Sequence, residues 1–135
     1  MIEAVIDTNV LMFGLIWGGY PGQIISSFGD SRLEIAVTKV IISEYLSIAE
    51  RLEKKYPNTQ VIALVKKLLV GAHVYTPVKL KKAVSSDPDD DKFIACALAT
   101  KAHLIVSGDS DLLTVSGYEQ IQVVKPRPFV ERYLR

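Results

Sequence analysis

One feature constrains this chain more than any other: an apolar run that stops abruptly at an acid, Ile2-Glu3-Ala4-Val5-Ile6 leading into Asp7-Thr8-Asn9-Val10. A short run such as Ala4-Val5-Ile6 suits a strand buried on both faces of a parallel sheet, and its length and flanks argue this better than its periodicity. In open α/β sheets, ligand chemistry gathers just beyond the carboxyl ends of the strands, which is where Asp7 would stand. Taken alone, Asp7 is equally well read as the cap of a helix beginning near Val10. Recurrence tips the balance. The stretch His103-Leu104-Ile105-Val106-Ser107-Gly108-Asp109-Ser110-Asp111 repeats the pattern of an apolar strand that ends in a small polar residue and an acid.

Between and beyond these strands the chain alternates. Val10 to Trp17 begins a helix, which Gly18-Gly19-Tyr20-Pro21-Gly22 breaks before a second helix from about Gln23 to Phe28. The rings of Trp17 and Tyr20 are of the kind that stack on bases, and more often pack between helices. Leu33 to Val37 reads as a second strand. Thr38 then caps a helix running to about Tyr56, where Pro57 stops it, with Ile41, Tyr45, Ile48 and Leu52 as its buried stripe. A helix from Asn58 to Val70 points Ile62, Val65 and Leu69 inward, and a third short strand follows at His73-Val74-Tyr75, with His73 in a structural part. Asp87 as cap and Pro88 at the first helical position lead into the apolar helix Phe93 to Thr100. Leu104 to Val106 is the fourth strand, Asp111 opens a short helix at Leu112-Leu113, and Gln120 to Val124 is the last strand before a terminal helix at Phe129 to Leu134. This order argues for a parallel sheet with helices on both faces.

The 135 residues show no repeat, linker or low-complexity segment, and with 49% hydrophobic content they are read as one domain, residues 1–135. The one cysteine, Cys96, excludes an intrachain disulfide and suits a reducing cytoplasm. The apolar start has no basic leader, its first basic residue being Arg32, and no apolar run approaches the ~20 residues of a membrane span, so neither export nor membrane attachment is expected. A net charge of +1 hides segregation: from Arg51 to Lys82 eight basic residues face one acid, Glu53, and from Ala83 to Glu119 seven acids face two lysines. A basic flank beside an acidic centre suits a polyanion held near bound cations, with Lys79, Lys81 and Lys82 as candidate contacts; lysines that merely solvate an outer face are the plainer reading.

Glu44 stands three after Ile41 and four before Ile48, at the edge of an apolar helical face, where a carboxylate needs a partner; a lysine would satisfy it. Asp90 and Asp91 both have apolar residues three and four positions on, and periodicity does not choose between them. Asp7, Asp109, Glu44 and one of this pair can converge. Two carboxylates ~4 Å apart cost about 4 kcal/mol at an effective dielectric near 20, so such a cluster calls for protonation or a cation. All-oxygen ligands select hard ions, Mg²⁺ or Mn²⁺, whereas one cysteine and two separated histidines do not suit zinc. With such an ion the expected reaction is phosphodiester hydrolysis by activated water, with Thr8, Asn9 and Ser107 orienting the acids and Asp111 nearby.

These residues carry a resemblance. Val5-Ile6-Asp7-Thr8-Asn9-Val10-Leu11, Ile42-Ser43-Glu44-Tyr45, Asp87-Pro88-Asp89-Asp90-Asp91-Lys92-Phe93-Ile94-Ala95 and Val106-Ser107-Gly108-Asp109-Ser110-Asp111-Leu112-Leu113 resemble, in order, the four acidic motifs of PIN-domain proteins. The likeness spans nearly the whole chain and is nearest to the small ribonucleases of prokaryotic toxin–antitoxin systems. The family's register, an acid three before an Ile-Ala pair, picks Asp91 over Asp90. Many members carry Thr where this chain has Ser107, and a hydroxyl is kept. The resemblance implies a Rossmann-like three-layer α/β/α sandwich with a central, mainly parallel five-stranded sheet. It also implies RNA cleavage with Mg²⁺ or Mn²⁺ held by Asp7, Glu44, Asp91 and Asp109, in a homodimer restrained by an antitoxin.

Two rival readings belong to other classes. A haloacid-dehalogenase-type phosphatase also starts with an acid after its first strand, but needs a second Asp where this chain has Asn9. A catalytically idle nucleic-acid or partner-binding module would keep the fold without the reaction.

Overall fold

The computed structural model describes residues 1–135. Five strands, β1 (Ile2–Ile6), β2 (Leu33–Val37), β3 (His73–Val74), β4 (Leu104–Val106) and β5 (Gln122–Val124), form one all-parallel sheet in the order β3-β2-β1-β4-β5. Ala4, Val5 and Ile6 are buried, as are Ile35, Ala36, Val37 and all of β4, because both faces of the central strands are covered. Seven helices do the covering: α1 (Thr8–Ile16), α2 (Gly19–Gly29), α3 (Lys39–Lys55), α4 (Val61–Val70), α5 (Asp91–Ala99), α6 (Ser110–Thr114) and α7 (Pro126–Tyr133). Crossovers through α1 to α4 carry the chain from β1 to β2 and β3, and α5, which packs on β1, β2 and β4, carries it back across the sheet. The result is a three-layer α/β/α sandwich.

This topology creates the place for a site. From β1 the chain winds towards one edge and from β4 towards the other, so the crevice outside their carboxyl ends is a topological switch point. The ladder continues into it: the Asp7 amide donates to Val106 O at 3.0 Å and the Ser107 amide to Val124 O at 3.0 Å. On the edge side, Glu3 and Glu34 are register partners. Tyr75 Oη donates to both Glu3 oxygens at 2.7 and 2.9 Å, and His73 Nδ1 lies 3.1 Å from Glu3 Oε2, so the exposed strand β3, whose short ladder is with β2, is tied to β1 by side chains.

Several boundaries differ from the sequence reading. The second helix begins at Gly19, four residues early, because Gly18 and Gly19 take left-handed backbone angles (φ 90° and 66°) to turn the corner and Pro21 fits a first turn. Gly14 is needed for a close approach: a Cβ there would meet Pro21 O at 2.6 Å, so α1 and α2 pack backbone to backbone. In α3 the fully buried side chains are Ile41, Tyr45 and Ala49, with Ile48 and Leu52 on the flank. The fourth helix starts at Val61, after a 3₁₀ turn at Pro57–Thr59 and a left-handed Gln60 (φ 51°), so its inward face is Val61, Val65 and Leu68 rather than Ile62 and Leu69. The last strand is shorter than expected, Gln122–Val124. No helix is long and apolar enough to cross a membrane.

Candidate active site

Asp7 follows directly on β1 and is 7% exposed. Although it occupies the cap position of α1, its side chain makes no capping hydrogen bond. It is engaged elsewhere: the Ser107 hydroxyl donates to Asp7 Oδ2 at 2.6 Å, and the same hydroxyl oxygen accepts the Asp109 amide at 2.9 Å. One buried serine at the end of β4 therefore sets the spacing of both strand-end acids. Burial pushes the Asp7 carboxyl up from its ordinary value, the Ser107 hydrogen bond and the nearby Asn9 amide pull it down, and the charges of Asp109 and Glu44 push it up again. Tyr45 Oη, fully buried on α3, donates to the Ile6 carbonyl and so fixes the residue before Asp7.

The entry to α5 supplies the next acid. A 3₁₀ turn at Pro88–Asp90, capped by Asp87 Oδ1 accepting the Asp89 amide at 3.0 Å, delivers Asp90 into the crevice with 8% exposure. Asp90 Oδ2 is the one buried side-chain polar atom without a hydrogen-bond partner. The Asp90 carboxyl is pushed up to about 7, first by burial, then by a hydrogen bond with Asp109 and by the charges of Asp109, Asp87 and Asp7. At the rim, Asp109 Oδ1 accepts the Asp111 amide at 3.2 Å and Asp111 Oδ1 accepts the Ser86 hydroxyl at 2.8 Å. Carboxylate oxygens of Asp87, Asp90 and Asp111 lie within 4.8 Å of one another.

Asp91 does something else. Its two oxygens accept the Val84 and Ser85 amides at 3.1 and 2.8 Å, pinning the loop that precedes the turn. The acid brought against Asp109 and Asp7 is Asp90, while Asp91, the residue that the resemblance picks, holds the two loop amides. The apolar pattern does not separate the two: Asp90 stands three and four before Phe93 and Ile94, Asp91 three and four before Ile94 and Ala95, and all three of these residues are buried.

On the other side of Asp7, Glu44 of α3 accepts from the Thr8 hydroxyl on one oxygen and pairs with Lys92 Nζ on the other. Lys92 went unnoticed as a site residue because nothing in the local sequence ties it to a glutamate 48 positions away. Two clefts flank the acids. One, of about 410 Å³, is lined by Asp7, Asn9, Phe13, Pro21, Gly108 and Asp109 among others. The other, of about 490 Å³, includes Glu44 and Lys92. Lys79, Lys81 and Lys82 are exposed, form no ion pair and line neither cleft. Trp17 packs against Phe13 and edge-on to Tyr56, and Arg127 lies over the Tyr20 ring.

The family model for the PIN domain matches residues 3–111, most of the chain and all four acidic motifs. The chain belongs to the PIN-domain family. No match is found among curated proteins. A PIN domain is a nuclease fold that typically works with divalent metal, and membership sets aside the dehalogenase-type alternative. The residues of this PIN domain fit such an ion. Asp90 has an orphaned buried oxygen, the carboxyls of Asp7 and Asp90 are both held up first by burial and then by neighbouring negative charge, and every donor is a hard oxygen. Asp90 would hold the ion together with Asp87 and Asp111, whose oxygens lie within 4.8 Å of its own, or with Asp7 and Asp109, whose charges bear on it.

Proposed function

We propose that this PIN domain hydrolyses RNA phosphodiester bonds with Mg²⁺ or Mn²⁺, as the endoribonuclease toxin of a toxin–antitoxin pair. The observation that carries the reading is the orphaned Asp90 oxygen among mutually repelling acids at the switch point. When bound, the ion supplies Lewis acidity and lowers the pKa of a coordinated water towards neutrality. The chain's own residues do the rest. Ser107 holds Asp7 and the Asp109 backbone in register, so neither acid has to reorganise when substrate arrives. Asp90, whose carboxyl is pushed up to about 7, would be ionised with positive charge beside it and is placed to serve as an acid or base for a proton at the site. Lys92, half-buried beside Glu44, offers a cation to the phosphate.

RNA as substrate, an antitoxin as partner, a homodimer and a cytoplasmic setting are what the resemblance, the lone Cys96 and the basic flank support. The test is cleavage of mixed single-stranded RNAs by purified protein in Mn²⁺ and in chelator, with Asp90→Asn beside wild type. Cleavage that needs the metal and is lost in the variant is expected. Wild-type protein that leaves RNA intact in Mn²⁺ overturns the reading in favour of an idle binding module.

A further inference from the structure

Four exposed polar residues of α3 recur at intervals of four: Lys39, Ser43, Ser47 and Arg51. Residues at i and i+4 stand about 5–6 Å apart on one helical ridge, so this row runs about 18 Å along the helix at 1.5 Å per residue. It lines the 490 Å³ cleft that also includes Glu44 and Lys92. Lys39 and Arg51 enter no ion pair, and neither serine hydroxyl makes a hydrogen bond within the chain, so all four side chains present unused donors. The only acid lining the cleft is Glu44, against Lys39, Arg51 and Lys92. Sites for long anionic chains look like this: evenly spaced donors on a rigid element, positive in sum and continuous with the reactive centre.

We propose that the Lys39-Ser43-Ser47-Arg51 ridge of α3 is the track along which a single RNA strand lays its phosphates as it leaves the acid cluster. This rests on the RNA-cleavage reading and specifies where that substrate runs. A strand held at Asp7 and Asp90 passes Glu44 and Lys92, and the next donors it meets along the cleft are those of the ridge. The spacing of four matches successive backbone anions rather than base edges, so the contacts are indifferent to sequence. An acidic protein segment is the competing occupant, but it would have no reason to continue into a cluster of carboxylates.

The test measures binding of a fluorescein-labelled single-stranded oligoribonucleotide to the full chain in chelator, across a salt series, with cleavage in Mn²⁺ as a separate arm. Lys39→Ala/Arg51→Ala is expected to weaken binding on the order of tenfold and to flatten the slope of log K against log salt by about 1.4, two phosphate contacts of ~0.7 each. Ser47→Glu, which sets an anion in mid-row, should weaken binding as well. Lys101→Ala removes a charge at the opposite end of the sheet, beside Glu3, and should bind as wild type. Because Lys39, Ser47 and Arg51 are exposed and unpaired, the variants keep the fold, which their melting temperatures verify. Wild-type affinity and slope in both ridge variants, with metal-dependent cleavage intact, overturn the track and leave the nuclease reading standing. Wild-type protein that neither binds nor cleaves RNA overturns both. Loss of binding to a polyglutamate peptide with RNA binding unchanged gives the ridge to an acidic partner and overturns the proposal.

Discussion

The hydroxyl of Ser107 donates to Asp7 Oδ2 at 2.6 Å across a gap of 100 residues, and its oxygen accepts the amide of Asp109. A single atom thus couples the two strands that carry the site. Ser107→Ala leaves a buried carboxylate short of its donor and the Asp109 amide short of its acceptor, costing about 1–3 kcal/mol. Partners that orient ligands are worth roughly 10–100-fold in metal affinity or activity. Manganese affinity by calorimetry should fall by that factor in Ser107→Ala and be kept in Ser107→Thr. Equal losses in the two variants would show that packing, not the hydroxyl, matters.

Asp7→Asn keeps the shape of the side chain while removing one charge from a buried group already held above its ordinary pKa. Cleavage should drop on the order of a thousandfold or more, because a ligand of the ion carries several kcal/mol of the barrier reduction and each 1.36 kcal/mol is tenfold. Without metal the variant should melt higher than wild type, since mutual repulsion is relieved. An Asp7 that served only as a helix cap would change neither quantity, as Asn caps nearly as well. Undiminished cleavage by the variant would sink the assignment.

The adjacent acids Asp90 and Asp91 should respond in opposite ways. Asp91→Ala deletes the acceptor of two loop amides and is expected to destabilise by about 2 kcal/mol, with activity per folded molecule changed only a few-fold. Asp90→Ala deletes a carboxyl that faces Asp109 and has one oxygen without a partner, so it should abolish metal-dependent cleavage at little cost in stability. Urea melts paired with single-turnover cleavage separate the two. The reverse pattern would restore Asp91 as the ligand.

Much of the fold could be read along the chain, because it follows from local chemistry. Leu33–Val37 and Leu104–Val106 are apolar runs with turn residues at both ends, and Thr38 caps α3 by accepting the Ile41 amide. What stayed hidden depends on phase or on distance. A single left-handed residue, Gln60, shifted the inward face of α4 by one position, which no hydrophobic pattern reveals. A 3₁₀ turn did the same for Asp90 and Asp91. The pairing of Lys92 with Glu44 joins two helices distant in sequence. The cationic ridge of α3 was obscured for a different reason: charges counted in blocks along the chain separate Lys39 from Arg51, although a helix sets them on one row.

Acidity at the site should appear as a pH dependence of stability with an unusual sign. The Asp90 carboxyl is raised from 3.8 to about 7, so the folded chain binds this proton more tightly than the unfolded chain does. Its contribution is fully present below pH 3.8 and is lost as the pH rises through about 7, where the proton leaves a buried oxygen that nothing else solvates. Metal-free protein should therefore lose stability between about pH 4 and pH 7, on the order of a few kcal/mol at 1.36 kcal/mol per unit, and melt lower accordingly. Asp90→Asn cannot titrate and should match wild type near pH 4 and exceed it by several degrees at pH 8. Saturating Mn²⁺ should reverse the wild-type trend, because the ion favours the ionised acid and binds more tightly as the pH rises. The difference between wild type and Asp90→Asn cancels the contributions of all other groups. Parallel curves for the two proteins, in the absence of metal, would mean that Asp90 is already ionised at neutral pH and that the cluster is not poised to take up a cation.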